Sequence, residues 1–169
     1  MRFKRWPLFP IAAVGAFTVG CAASNAPAVP EYTAADSAAV SATIEKWRTT
    51  ILARDFDGWA TTVSPDVVLQ PPNIKPLVGR AAAVEYIKSY PVITKFDVVI
   101  HEQVGLGDVA YDRGSFMIAV TLPDGTAGSD TGSFMSVFRR QADTTWAHDR
   151  VIWNSSLPVV APPPAPKRR

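Results

Sequence analysis

The stretch Ile44–Pro72, IEKWRTTILARDFDGWATTVSPDVVLQPP, decides the fold. With Val40 just before it, Ile44, Trp47 and Ile51 recur at spacings of four, three and four, which places them on one apolar face of a helix. Thr33 with Asp36 three residues on is a variant capping box, so the helix is predicted to start there and to run to about Ala53. Asp55-x-Asp57-Gly58 then turns the chain, and either carboxylate can accept the free N–H groups of a short second helix. That local role accounts for the Asp pair without catalysis. Val67-Val68-Leu69 is β-prone and ends at Pro71-Pro72, where a ladder loses its donors.

Further along, Pro76 to Val78 can pair with that first strand, and Gly79 opens a helix over Arg80–Ser89 that Pro91 ends. Strands follow. Phe96 to Val104 alternates Phe, Val and Ile on one face with Asp97, Val99 and His101 on the other. Val109 to Thr121 is a long strand in which Gly114 marks a bulge or a close approach. Pro123-Asp124-Gly125 is a turn, Gly132 to Arg140 a strand, and Trp146 to Ser155 the last strand. Helices come first and strands after, which predicts an α+β fold with the helices packed on one face of a mainly antiparallel sheet.

The 17 Lys+Arg and 15 Asp+Glu are unevenly placed. Arg2, Lys4 and Arg5 open the chain and Lys167, Arg168 and Arg169 close it, so the body between is mildly acidic. A nucleic-acid-binding domain would carry a clustered basic face, and none is present in that body. Behind the basic start lies an uncharged run from Trp6 to Gly20, short for a membrane span and apt for a signal peptide. Its end, Phe17-Thr18-Val19-Gly20-Cys21, resembles the lipobox of bacterial lipoproteins. That resemblance implies cleavage of residues 1–20, lipidation of Cys21, and, with Ala22 next, sorting to a Gram-negative outer membrane facing the periplasm. A plain signal peptide cut nearby is the alternative. As the sole cysteine, Cys21 forms no intrachain disulfide. Residues 21–32 are expected to be a flexible tether, residues 33–158 one domain, and the Pro-rich basic stretch 159–169 a disordered tail.

Short marks along the body resemble the SnoaL-like domains of the nuclear transport factor 2-like superfamily. They are Ala53 to Gly58 after the first helix, Ser64-Pro65-Asp66, Val78-Gly79-Arg80 with Ala81, Phe138-Arg139-Arg140, Trp146, and the closing Trp153-Asn154-Ser155. The resemblance implies helices in the concave face of a curved sheet, a cone-shaped pocket, and in many members a homodimer through the outer sheet face. It does not fix the function, since the superfamily includes both enzymes and binding modules. Its ketosteroid isomerases use an Asp base with a Tyr and a protonated Asp. In ungapped register on Asp55-x-Asp57-Gly58, those three positions hold Pro71, Trp47 and a residue near Met135, none of which can do that work.

The predicted ligand pocket comprises Trp47, Trp59, Tyr111, Arg113, Ser115, Trp153 and Asn154, an apolar set with a few orienting polar groups. The tryptophans can equally be ordinary core, and Arg113 can equally be an outward ion pair. His101 and His148 have no ligand spacing between them, so no metal and no cofactor is expected. Asp149, if inward, is the remaining candidate acid or base, with Tyr111 or Arg113 beside it. Three readings stay open. One is an envelope-anchored, non-catalytic module for a small hydrophobic or amphipathic ligand, one a lyase or isomerase using Asp149. The third is a structural dimer whose outer face carries Phe134 and Phe138.

Overall fold

The computed structural model describes residues 29–158. Cys21, the signal segment, most of the tether and the Pro-rich tail lie outside the described residues. The elements are α1 (Ala34–Ala53), α2 (Phe56–Ala60), β1 (Val63–Gln70), β2 (Leu77–Val78), α3 (Arg80–Ser89), β3 (Val92–Leu106), β4 (Val109–Thr121), β5 (Ala127–Arg140) and β6 (Trp146–Trp153). The strands form one curved sheet in the order β2-β1-β6-β5-β4-β3, against whose concave face the helices pack. All neighbours are antiparallel except β1 and β6. Among the described helices none is long and apolar enough to cross a membrane.

Local chemistry sets the helix ends. Thr33 and Asp36 close a reciprocal capping box, and Arg54 ends α1 in the left-handed region at φ 54°. Asp55 caps α2 by accepting from the Gly58 N–H at 2.8 Å. β1 starts four residues before the β-prone triplet. Pro65 is tolerated inside it because the β1–β6 ladder is irregular between Val63 and Val68.

Ile51, Trp59, Val63, Val67, Leu69, Ala83 and Val151 form the larger core cluster. Val40, Ala110, Phe138 and Trp146 form the smaller one. Each fully buried large side chain stabilises the fold by roughly 1.5–3 kcal/mol relative to exposure, and Trp59 and Phe138 are both sealed. Phe138 therefore belongs to the concave side, and the outer patch expected around Phe134 and Phe138 does not exist as such. The outward apolar residues are Val99, Val104, Met135 and Ile152 instead.

Gly114 faces the helices beneath the Phe134 ring and against the Val99 carbonyl, so a Cβ there has no room. Gly114→Ala is expected to lower the unfolding free energy in urea by about 1–3 kcal/mol, the usual cost of overpacking. Wild-type stability in that variant would contradict this packing.

Candidate functional site

Period two sorts β4 into two faces. Ala110, Asp112, Gly114 and Ile118 are buried toward the helices, and Tyr111, Arg113 and Ser115 point the other way. The ladders extend the inward set across the sheet in three rows. Ala110 meets Phe138 and then His148, Asp112 meets Ser136 and then Val151, and Gly114 meets Phe134 and then Trp153. Above these rows, α1 contributes Ile44, Trp47 and Ile51, and α3 contributes Tyr86, Ile87 and Tyr90. Between them lies a cavity of about 120 Å³. Its walls are mostly aromatic and aliphatic, with Asp112, Ser136 and His148 as the buried polar groups.

His148 is held on three sides. Trp47 and Phe138 stack at 4.4 Å on its ring. Its Nδ1 lies 3.2 Å from the Thr62 carbonyl oxygen. That oxygen can only accept, so Nδ1 carries the hydrogen and Nε2 keeps a free lone pair. Burial pushes the imidazole down to about 3, so it stays uncharged at neutral pH.

Asp112 is the more unusual group. It has no solvent exposure, and neither carboxyl oxygen has a well-formed hydrogen bond among the described residues. Burial pushes its carboxyl up to about 6, and Ser136 across the ladder offsets this only in part. One strand, β5, separates Asp112 from His148, and the two lie in adjacent rows, so their backbones stand two strand spacings apart across the sheet and two residues apart along it, roughly 12 Å. They flank the cavity and do not bond each other across it. Burial also raises Tyr86, to about 12, and Tyr90, so both hydroxyls remain neutral donors.

The predicted pocket residues separate. Trp47 and Trp153 are on the cavity wall. Trp59 sits behind Trp47, edge-on at 4.7 Å, as core. Tyr111 and Arg113 are on the outer face, where both bond Glu102, at 3.3 and 2.5 Å. Ser115 lies there too, 3.1 Å from the exposed His101. Asn154 is exposed and accepts from the Ser133 N–H through its side chain. Asp149 is buried, but away from the cavity. It is the extra residue of a β-bulge, skipped in pairing between Phe138↔His148 and Val137↔Arg150. Its carboxylate accepts from Ser64 at 3.1 Å and pairs with Arg150 and Arg139. Asp149 with Tyr111 or Arg113 is thus no catalytic set. The sequence carried a signal for Asp112, since it shares its phase with the bulky apolar Phe116 and Ile118. His148 had only the weaker signal of Trp146, two residues earlier in the same phase, and Trp153 beyond the bulge points the other way in simple alternation.

The model of the family described as SnoaL-like domain matches residues 44–148, which includes the cavity walls from α1 to His148. The chain belongs to this SnoaL-like family. Solved structures agree on the fold. A ketosteroid isomerase-like protein from Erwinia carotovora atroseptica is 21% identical, with TM-score 0.65 over 72% of this chain and 96% of its own. A conserved protein from Planctomyces limnophilus is 25% identical, with TM-score 0.63 over 72% and 98%. The hexachlorocyclohexane dehydrochlorinase LinA-type3 of Novosphingobium barchaimii is 15% identical, with TM-score 0.61 over 73% and 88%. No curated protein matches the sequence. Within this SnoaL-like chain Pro71 ends β1 and Met135 faces outward, so the cavity's carboxylate comes from β4 and not from the isomerase positions.

The two buried groups make opposite contributions to stability with pH. The unfolded Asp112 ionises near the ordinary 3.8 and the folded one near 6. Its ionisation therefore costs nothing below pH 4, grows through that window, and reaches about 3 kcal/mol above it. Asp112→Asn should match wild type in urea unfolding at pH 4 and exceed it by up to that amount at pH 8. A gap independent of pH would refute the assignment. His148 works in the other sense, since its folded value is depressed and stability falls as pH drops below 6.5.

Proposed function

We propose that this SnoaL-like protein binds a small apolar molecule and catalyses proton transfer on it, as in an isomerase or a lyase. The observation that carries this is Asp112, a buried carboxyl with no well-formed hydrogen bond among the described residues, set among mostly apolar walls and facing a cavity. A fold gains no stability from such a group, and a carboxyl ionising near 6 is mostly charged at neutral pH and unusually basic. Asp112 is assigned as general base. It takes a proton from carbon, and the released electron pair forms a double bond; in a lyase the leaving group departs from the adjacent carbon with its bonding pair, and in an isomerase the protonated Asp112 returns the proton at another carbon. His148, too weakly basic for that role, accepts a hydrogen bond at Nε2 and orients a substrate O–H or N–H. The isomerase-like and dehydrochlorinase neighbours support this at the level of fold only.

5-Nitrobenzisoxazole is a suitable probe, because removing one C–H proton forms a nitrile, breaks the ring N–O bond and releases a coloured phenolate. The wild type should open it with a rate that rises with pH and is half-maximal near 6. Asp112→Asn should lose about 10²–10⁴-fold. A wild type no faster than buffer would leave a binding module without catalysis. Full activity in the variant would remove Asp112 from the chemistry.

The basic start, the apolar run and Cys21 support a place on the cell envelope, with the domain held to a bacterial outer membrane through lipid on Cys21. A second copy of this chain is the proposed partner of the outer sheet face, on the strength of the exposed Val99, Val104, Met135 and Ile152. Native mass spectrometry of protein extracted from membranes should give twice the mass of a chain beginning at Cys21 with acyl groups. An unacylated mass would refute the anchor, and a single-chain mass the dimer.

A further inference from the structure

We propose that the cavity's ligand is an anion, with a one-ring apolar body inside and a carboxylate-type head held by Arg54 at the rim. This rests on the apolar pocket argued above and adds the class of molecule that fills it. Size limits the body. About 120 Å³ is of the order of the ~150 Å³ apolar cavity that accommodates benzene, and far below what a steroid-sized tetracycle needs.

Charge decides the head. Arg54 is the one cationic side chain on the cavity wall, since His148 is neutral there. Among the described residues the Arg54 side chain makes neither an ion pair nor a hydrogen bond, while arginines 48, 113, 139, 140 and 150 form ion pairs and Arg80 donates to the Val63 carbonyl. It is nevertheless held in place. Its backbone N–H closes α1 on the Ile51 and Thr50 carbonyls, and its guanidinium lies 5.1 Å from the centre of the Phe56 ring, itself on the wall. A fixed guanidinium fork without a partner is suited to a carboxylate.

Geometry sets the orientation. Trp47 and Ile51 share a face of α1, Arg54 is its C-cap, all three line the cavity, and Trp47 packs at a tilt on His148. Six residues of helix carry the chain about 9 Å along the axis from Trp47 to Ala53, and Arg54 follows as the cap. Arg54 is exposed whereas His148 and Asp112 are buried, so the cation marks the outer end. An ionised Asp112 repels an anionic head, but interaction falls with distance. The C-terminal end of α1 presents backbone carbonyls at this rim, so without Arg54 the rim would be hostile to an anion.

The test uses the full chain, 3-phenylpropionate and its uncharged amide, 3-phenylpropanamide, with binding read by calorimetry. The acid should bind at least about tenfold more tightly than the amide, as expected for a charge-assisted pair. Arg54→Gln should erase that preference without weakening the amide, and Arg54→Lys should restore part of it. Equal binding of acid and amide to wild type, or a preference that survives Arg54→Gln, would overturn the anion assignment and leave the apolar pocket standing. If neither compound binds the wild type, the pocket itself is refuted and the assignment with it.

Discussion

The carboxylate of Asp36 fixes where the first helix lies. It accepts from the Thr33 backbone and hydroxyl at 2.9 and 2.8 Å, from Arg140 of β5 at 2.5 Å, and from the indole of Trp146 on β6 at 3.2 Å. Arg140 also stacks over Trp146 and pairs with Asp108. One side chain thus starts α1 and attaches it to two strands. The guanidinium beside Asp36 holds its carboxyl well below the usual carboxylate range, so the junction stays charged at any ordinary pH. Because α1 supplies Ile44, Trp47 and Ile51 to the cavity, the position of that wall follows from the junction.

The cavity is arranged with the opposite economy. At the Asp36 junction both carboxylate oxygens are bonded, whereas among the described residues neither Asp112 oxygen has a well-formed hydrogen bond and His148 is bonded on one nitrogen only. Burying a polar group without compensation opposes folding, and the aromatic packing around the site offsets it. Trp47 touches both Trp59 and His148, and Phe138 closes the other side of the imidazole. The rigid part of the protein therefore surrounds the part that is least favourable to fold.

Much of this architecture was legible in the sequence because caps and helical periods are local. The α1 face, the Asp55 cap and the Arg80–Ser89 helix all depend on residues within a few positions of one another. The site was less legible for two physical reasons. Alternation says which residues of β4 share a face, but not which face is inside. Tyr111, Arg113 and Ser115 made as plausible a polar set as Asp112 and its neighbours. In β6 the alternation itself fails, since the bulge at Asp149 puts His148, Val151 and Trp153 on one side at odd spacing. The parallel β1–β6 pairing was invisible for a related reason, because it joins segments some 85 residues apart, as the Ser64–Asp149 bond illustrates.

That long-range pairing sets an order of events. β6 fills the slot between β1 and β5, yet it is the last strand to be synthesised. Until it arrives, β1 and β5 each present an open edge, and such edges recruit foreign strands. The imidazole and its Trp47 stacking arrive with the same strand. Contacts of this sequence separation form late, because a long loop must close before they are rewarded. A nascent chain therefore contains Asp112 before it contains a cavity, and the protein gains its cavity and its protection from aggregation in a single final step.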